Sequence, residues 1–453
     1  MKQIITFIFI LATALSVHSS LWEKAGGFMG NLQGINETKI VVHPKAPQSL
    51  DESSEATYRD ITLTAGGTLA EALGEDANLV DSLVVRGPIN EADFKTMWSA
   101  SFHGKLEVIN LENAEIENNV IPKNAFWDAD VQYIDNRVYL IKLKKIILPE
   151  NITEIGEKAF YYGRFIEDIN LPASLTKISE RAFAFCAKLP TPSFPENLEE
   201  IGESAYRYCH GIKGEVVMPE KLRSIGGYAF ENSDITKINF PTSLEYLGGG
   251  AFSGTLLGEV YLPDNCELDP SGGQFMSNPE LVKAHLPANS TIVPQNMFIQ
   301  CYKLREVELP ERLETIGYSA FQGDQEIEEI VFPSSLKSIG DWAFAGTKPQ
   351  KIYSKAVTAP MCTPTTFRGV PNTTSLYIPV GSRNDYVSTQ NYWYNFINII
   401  ETDDFPSLSV SGIDVDGGDE ADAPVYDLMG RRVDSPQPGQ IYIRAGKKFT
   451  VKP

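Results

Sequence analysis

Apolar and aromatic residues recur at a fixed period between residues 140 and 401. An aromatic residue, usually preceded by alanine, returns every 22–24 residues, and a proline recurs in step with it. Two registered columns of this kind predict a repeat protein whose units stack on one another. The aromatic column is Phe160, Phe183, Tyr206, Phe230, Phe252, Phe275, Phe298, Phe321, Phe344 and Phe367. The proline column is Pro149, Pro172, Pro195, Pro219, Pro241, Pro263, Pro287, Pro310 and Pro333, with Pro379 two periods further on.

Each unit begins with a short alternating stretch. Leu304, Val307 and Leu309 follow one aromatic anchor, and the same offsets return after the next anchor. Alternation predicts a strand, and Pro310 ends it because proline has no N–H for a ladder. A Leu-x-x-Ile-Gly-x-x-Ala-Phe stretch then turns the chain back and brings Phe321 into the interior. Its glycine permits backbone angles that β-branched residues resist. Because one unit cannot bury its apolar residues alone, we expect one continuous parallel sheet along one side of the stack.

This pattern resembles the BspA-type leucine-rich repeat, a 23-residue class of surface and secreted proteins of Gram-negative anaerobes. The resemblance implies the fold class: an α/β repeat, built as a right-handed leucine-rich-repeat solenoid over residues 140–401, with an N-terminal α/β cap and a small C-terminal β module. It also implies adhesion to host matrix proteins, host cells or other bacteria. Two departures predict irregular coils: the unit around Phe275 lacks the Ile-Gly and Ala-Phe elements, and residues 351–362 lack the proline.

The first 19 residues have the pattern of a signal peptide. Lys2 supplies the positive charge, a mainly apolar run extends from Ile4 to Leu15, and small or tolerated residues place the cleavage after Ser19. The run is shorter than the roughly 20 apolar residues that span a bilayer. We therefore expect an exported protein, secreted or held on the outer cell surface of a Gram-negative bacterium.

Two further segments precede the repeats. Residues 20–59 carry no periodicity and predict a polar, mobile extension. Residues 60–139 predict an α/β cap over the first coil, with a strand at 61–64, a short helix capped by Thr68, a strand at 82–85 and a helix capped by Asn90.

Three features end the chain. Tyr386, Tyr392, Trp393, Tyr394 and Phe396 crowd together and predict either a cover for the last coil or a carbohydrate platform. Residues 402–423 are acidic and predict a linker. Residues 424–453 predict a short β segment, whose Tyr-Asp-Leu-x-Gly-Arg and Gly-x-Tyr-Ile elements resemble the end of a type IX secretion sorting domain.

The charge balance narrows the range of partners. With 59 acidic and 39 basic residues, the chain has a formal net charge of −20. Such a surface repels nucleic-acid phosphates and anionic lipid headgroups, so neither nucleic acid nor insertion into a membrane is expected. Cys186, Cys209 and Cys301 share one repeat position, which predicts small buried residues. A bond between Cys186 and Cys209 is the alternative.

No pattern typical of catalysis stands apart from the repeat. The histidines are scattered without the spacing of a metal motif, and the chain has no nucleophile elbow and no phosphate loop. Carboxylate pairs are abundant, as expected of an acidic chain. We therefore expect no enzyme activity, no cofactor and no catalytic or metal-binding residues. The five histidines are His18, His43, His103, His210 and His285.

The strands themselves offer a candidate binding surface. The residue before the last apolar position of each strand should point outward, because neighbouring side chains alternate in side. This outward column is Ile147, Asn170, Ser193, Val217, Asn239, Tyr261, His285, Glu308, Val331 and Tyr353.

Its apolar and aromatic members suit either a partner surface or simply the preferences of β-strands. The hypothesis is a monomeric surface protein that adheres to a host matrix or cell-surface protein, and the alternative is a surface protein that captures glycans. The candidate ligand-binding residues are Tyr261, His285, Glu308, Val331 and Tyr353.

Overall fold

The computed structural model describes most of the chain after the N-terminal segment. The described residues are 57–134, 137–138, 140–388 and 391–406, together with short strands at 410–411, 425–427, 441–444 and 447–450. The predicted signal peptide and nearly all of the predicted extension lie outside them.

The segment before the repeats contains a parallel sheet with helices beside it. Its elements are strands β1 (Tyr58–Thr62), β2 (Ser82–Ile89), β3 (Val108–Asn110), β4 (Ala114–Ile116) and β5 (Val120–Ile121), helices α1 (Leu69–Leu73) and α2 (Glu91–Phe102), and 3-10 helices at Gly74–Asn78 and Glu117–Asn119. A helix α3 (Ala129–Gln132) and a hairpin of β6 (Tyr133–Ile134) and β7 (Arg137–Val138) follow.

A buried carboxylate links the two cap helices. Asn90 starts α2 with a capping box, in which its side chain accepts from the N–H of Ala92 and Asp93 accepts from the N–H of Asn90. Asp93 also accepts from the N–H of Leu69 at 2.9 Å. The expectation that the Thr68 side chain caps α1 is wrong, because its hydroxyl donates backwards to the carbonyl oxygen of Ala65.

The coils that follow each contribute short parallel strands. In chain order these are β8 (Lys145–Ile147), β9 (Glu154–Ile155), β10 (Asp168–Ile169), β11 (Lys177–Ile178), β12 (Glu200–Ile201), β13 (Lys213–Val217), β14 (Ser224–Ile225), β15 (Asp234–Asn239), β16 (Tyr246–Leu247), β17 (Glu259–Tyr261), β18 (Glu267–Leu268), β19 (Lys283–His285), β20 (Ile292–Val293), β21 (Glu306–Glu308), β22 (Thr315–Ile316), β23 (Glu329–Phe332), β24 (Ser338–Ile339), β25 (Lys351–Ser354), β26 (Ser375–Ile378) and β27 (Asn398–Glu401).

The last elements lie at the C-terminal end. A helix α4 (Arg383–Tyr386) and a 3-10 helix (Tyr392–Asn395) close the final coil before β27. Beyond it lie β28 (Val410–Ser411) and a three-stranded antiparallel sheet of β29 (Val425–Asp427), β30 (Ile441–Arg444) and β31 (Lys447–Thr450). No helix in the described part of the chain is both long and apolar enough to cross a membrane.

The strands before each proline form the main sheet, but this sheet is not continuous. It comprises β1–β2–β3–β8–β10, then β13–β15, then β17–β19–β21–β28–β23–β25–β26–β27. The prediction of one unbroken parallel sheet is therefore wrong. The coil between β10 and β13 adds no strand to the main sheet because Pro190 and Pro192 remove two ladder donors. There the Thr191 hydroxyl pairs with the backbone N–H and C=O of Lys213 instead.

A second parallel ladder runs along the Ile-Gly stretch, which the sequence pattern presented only as a turn. It comprises β5–β9–β11–β12–β14–β16–β18 and then β20–β22–β24. It breaks between β18 and β20, in the unit around Phe275, so the predicted irregularity of that unit is confirmed. The glycines of this ladder have a different role from the expected one: a Cβ on Gly226 would lie 2.4 Å from the backbone N of Glu203 in the preceding coil.

The aromatic anchors form a buried stack through the solenoid. From Phe160 to Phe367, successive ring centroids lie 5.0–6.1 Å apart. The column begins one coil earlier than expected, because Phe126 stacks on Phe160 at 5.4 Å. Each coil therefore buries its apolar residues against its two neighbours, as the repeat pattern predicts.

A second interior column lies three residues after each anchor. The thiols of Cys186, Cys209 and Cys301 donate to the carbonyl oxygens of the preceding anchors at 3.1–3.2 Å. All five cysteines are free and buried, which confirms small buried residues and not a bond between Cys186 and Cys209. Ser233, Thr255, Asn278, Asp324 and Thr347 occupy the same column and are buried too.

Candidate binding surface

Three of the candidate residues lie side by side on the sheet. The register of β17, β19 and β21 places Tyr261 opposite His285 and His285 opposite Glu308. Their inward neighbours Val260, Ala284 and Val307 are all completely buried, so the outward direction follows from the alternation of the strands. The strand geometry thus gathers residues that lie 23 or 24 positions apart in the sequence.

These side chains also contact one another. The Tyr261 and His285 rings stack with centroids 6.5 Å apart, and His285 Nδ1 lies 2.7 Å from Glu308 Oε2. The Tyr261 hydroxyl donates to Glu259 at 2.9 Å. Desolvation and, second, the Glu259 carboxylate raise the pKa of Tyr261, so the phenol stays neutral and keeps the proton that it donates to Glu259. The row therefore offers an aromatic face, an imidazole and a carboxylate to a partner.

The other half of the column differs from expectation. Val331, Tyr353 and Tyr377 are in register across β23, β25 and β26. Val331 was expected on an open surface, but it is fully buried without belonging to the interior cluster. Tyr353 is half-buried between Tyr377, with ring centroids 4.4 Å apart, and Phe405 at 6.5 Å. The chain itself covers this end of the column, so Val331 is not an accessible contact residue.

The other positions of the outward column either bond to a neighbouring coil or are exposed to solvent. Asn170 exchanges two hydrogen bonds with the backbone of Leu148, and Asn239 accepts from the N–H of Met218 at 3.0 Å. These asparagines join neighbouring coils. Val217, by contrast, is 62% exposed and Tyr261 is 46% exposed. Within this column, open apolar surface is thus concentrated at Val217 and Tyr261.

The aromatic cluster near the C-terminus is a cover for the last coil. Tyr386 and Trp393 are fully buried, and Trp393 lies 5.0 Å from the anchor Phe367. Of the two alternatives for this cluster, burial favours the cover. Beside it lies a cavity of about 240 Å3, lined by Thr363, Pro364, Phe367, Arg368, Gly369, Val370, Asn372, Tyr392, Asn395 and Phe396.

A second aromatic row lies on the outer turns of the first coils and was missed in the sequence. Trp127, Tyr162, Phe185 and Tyr208 stack face to face with centroids 4.3–5.4 Å apart. Three of them adopt left-handed φ angles of 59–65°, positions that Gly254 and later glycines occupy in other coils. The signal was the spacing of Tyr162, Phe185 and Tyr208, each two residues after an anchor, whereas Trp127 directly follows Phe126. Because the rings cover one another's faces, they leave mainly edges for a ligand.

The described residues present no cluster for metal chemistry. Within these ranges no group of three or more His, Cys, Asp or Glu side chains is placed to hold a metal ion. His103 follows α2, His210 lies in a turn and His285 ends β19, whereas His18 and His43 lie outside the described residues.

Comparison with known proteins places the repeat in a family. The family described as "BspA type Leucine rich repeat region" matches in six copies, over residues 132–258, 227–351 and 271–382. No curated protein sequence matches the chain.

Several solved structures are similar to the chain at low identity. A leucine-rich repeat protein from Bacteroides ovatus is 21% identical, with a TM-score of 0.48, over 80% of this chain and 91% of that one. The pneumococcal vaccine antigen PcpA is 17% identical, with a TM-score of 0.36, over 79% and 92%. A leucine-rich cell surface protein from Faecalibacterium prausnitzii is 19% identical, with a TM-score of 0.30, over 69% and 86%.

Proposed function

Because the chain belongs to the BspA-type leucine-rich-repeat family, we propose that it is an adhesive surface protein without catalytic activity. It binds a host matrix or cell-surface protein through the outward face of its strands. The observation that carries this proposal is the row of Tyr261, His285 and Glu308, three chemically different side chains aligned on adjacent strands. Tyrosine is enriched where proteins meet, and a mixed row offers both apolar contact and hydrogen bonds.

Tyr261 and Tyr302 provide a matched test of this surface. They are 46% and 48% exposed, but Tyr302 lies on a turn outside the strands. Binding of the full chain to immobilised collagen, laminin and fibronectin is measured for Tyr261→Ser and Tyr302→Ser. Loss of a central contact of about 1.4 kcal/mol weakens binding about tenfold. We expect this loss for Tyr261→Ser only. Equal binding by Tyr261→Ser and the unmodified chain would show that the strand face is not the adhesive surface.

Export and retention are part of the same proposal. The chain is cleaved after Ser19, and residues 424–453 hold it at the outer surface of a Gram-negative cell, acting as a sorting or retention module. The antiparallel sheet β29–β31 supports a small folded unit there. Sequencing the N-terminus of the mature protein and digesting intact cells with a protease test both parts. We expect a start at Ser20 and cleavage from intact cells, whereas a retained N-terminus or full protection from the protease contradicts them.

Glycan capture is the second candidate, and one observation favours it. The cavity of about 240 Å3 at the last coil combines aromatic rings with the amides of Asn372 and Asn395 and the guanidinium of Arg368. Such a lining suits the hydroxyl groups and apolar faces of a sugar. Binding to a glycan array that Asn372→Ala abolishes, while Tyr261→Ser leaves it unchanged, supports this candidate over the first.

A further inference from the structure

The main sheet opens between two consecutive coils. β21 and β23 do not pair with each other, although the other strands of the main sheet from β17 to β26 each pair directly with the strand of the next coil. Just before these strands, Arg305 N donates to Val282 O at 3.0 Å and Gln350 N donates to Glu328 O at 2.7 Å. In the described chain, the equivalent bond from Glu328 to Arg305 is missing. Two strand edges therefore face each other without pairing.

The opening is confined to the strand side of the solenoid. On the second ladder, β22 pairs with both β20 and β24. In the aromatic column, Phe298 and Phe321 remain 5.4 Å apart, but their rings are tilted by 24°, the largest tilt between successive anchors. The two coils thus pivot about their aromatic side and separate at their strands. The result is a slot with a hydrogen-bonding edge on each wall.

A strand of the chain itself lies in this slot. β28 runs antiparallel to both walls, with Val410 opposite Val307 and Ile330, and Ser411 opposite Glu329. The path back to the slot is held by Thr402 N, which donates to Ile378 O at 2.8 Å, and by Phe405 against Tyr353. An unpaired strand edge is a template for an added strand, and here two edges act together.

The charge of this resident segment does not match the slot. Glu306, Glu308 and Glu329 stand on its two walls, with Lys283 and Lys351 as the paired cations. Residues 405–413, which contain β28, carry no charged side chain, so the resident segment brings no positive charge to these carboxylates. Because β28 belongs to the same chain, its effective concentration at the slot is high. This holds the strand in place despite its poor charge complementarity to the walls. A basic strand from another molecule would gain Coulomb attraction at the same backbone positions.

We propose that the space between β21 and β23 is a strand-acceptor slot, and that a partner protein enters it as an extended segment with basic side chains, displacing Val410–Ser411. This proposal rests on the proposed protein-binding function and specifies how the partner engages. A second copy of this chain would bring the same uncharged segment and is a poorer occupant.

The first test locates the resident strand. Glu329→Cys combined with Ser411→Cys places two thiols on directly opposite residues of an antiparallel pair, within reach of a disulfide. The native cysteines are buried. On mild oxidation of the full chain we expect a monomer with one new disulfide. The matched pair Glu259→Cys with Ser411→Cys should stay reduced, because β17 lies two strands from β21. Covalent dimers, or no bond in the first pair, overturn the proposal.

The second test opens the slot in the full chain. Val410→Pro removes the resident strand's ladder donor, and Val415→Pro is the matched change outside β28. The probes are labelled octapeptides of alternating valine and lysine, valine and glutamate, or glycine and lysine. We expect Val410→Pro to bind the valine–lysine peptide at least about tenfold more tightly than the unmodified chain or Val415→Pro does. The valine–glutamate and glycine–lysine peptides should bind weakly to all three proteins.

The remaining outcomes are equally decisive. If all three proteins bind the valine–lysine peptide equally, β28 does not control the slot. If the glycine–lysine peptide binds as tightly as the valine–lysine peptide, the effect is non-specific charge attraction. Either result overturns the proposal of a strand-acceptor slot. Neither affects the adhesion difference between Tyr261→Ser and Tyr302→Ser, so failure of the slot is distinguishable from failure of the proposed function.

Discussion

The carboxylate Oδ1 of Asp324 accepts a hydrogen bond from the backbone N–H of Cys301, one coil earlier, at 2.9 Å. The other oxygen has no partner in the described structure, although the residue is fully buried. Desolvation raises the pKa of Asp324 well above its usual value of 3.8. Asn278 occupies the same column position two coils earlier. Its side-chain amide donates to the carbonyl oxygens of Phe252 and Phe275 at 2.8 and 3.0 Å. The repeat therefore already contains the better solution for this position.

We predict that Asp324→Asn stabilises the protein at neutral pH by roughly 1–3 kcal/mol, the usual cost of a buried unsatisfied polar group. Because the folded-state pKa is raised, the native chain holds a proton that the unfolded chain loses above pH 3.8. The contribution of this carboxyl to stability therefore falls as pH rises from that value toward the folded pKa.

Urea unfolding of both proteins between pH 4 and pH 8 checks this prediction. The advantage of Asp324→Asn should grow with pH. A difference that does not change with pH, or destabilisation at pH 8, contradicts the assignment of Asp324 as a buried neutral acid.

The aromatic column should dominate stability. Phe321 is fully buried between Phe298 and Phe344, with ring centroids at 5.4 and 5.0 Å. Phe321→Ala should cost roughly 3–5 kcal/mol because it empties a packed site. Unfolding should also become less cooperative, since each coil contacts only its neighbours. Tyr318→Ala, three residues away and 42% exposed, should shift stability by at most about 0.5 kcal/mol in the same denaturation experiment.

The N-terminal cap should depend on Asp93. This buried carboxylate accepts from the N–H groups of Gly67, Leu69 and Asn90 at 2.6, 2.9 and 2.9 Å. Asp93→Ala leaves these donors unpaired and should destabilise the cap by about 3 kcal/mol or more, since bonds to charged groups contribute about 1.5–3 kcal/mol each. Hydrogen exchange of α1 and α2 measures the effect. Thr68→Ala is the control, and equal exchange in both variants would contradict the role of Asp93.

The cysteines should be inert in the folded protein. Burial raises the pKa of both Cys209 and Cys266 to about 12, so almost no thiolate is present at pH 8. A thiol reagent at pH 8 should titrate none of the five cysteines before unfolding and all five afterwards. Reaction of only three after unfolding would indicate a disulfide, and fast reaction before unfolding would place a cysteine at the surface.

The sequence pattern was sufficient for the parts of the fold that repeat. The anchors, most of the strands before the prolines and the irregular unit at Phe275 follow from spacing alone. The second ladder was missed because two-residue strands show no alternation. Phe126 was missed because residues 128–139 interrupt the period between it and Phe160.

The candidate surface was less predictable for a physical reason. Alternation gives the outward direction of Val331 correctly, but exposure depends on what else packs on the sheet. β28 carries no repeat signal, so its position between β21 and β23 could not be derived from periodicity. The asparagines at 170 and 239 likewise look like solvated residues until their backbone partners in the preceding coil are known.

The most direct measurement of the central claim is site-specific photo-crosslinking to a bound matrix protein. A benzophenone amino acid replaces Tyr261 on the strand face or Tyr318 on the turn side; the native tyrosines are 46% and 42% exposed. Both variants are incubated with the matrix protein that the unmodified chain binds, and crosslinks are mapped by mass spectrometry. Binding through the strand face predicts crosslinks from position 261 and none from position 318. Crosslinks from position 318 alone would contradict it.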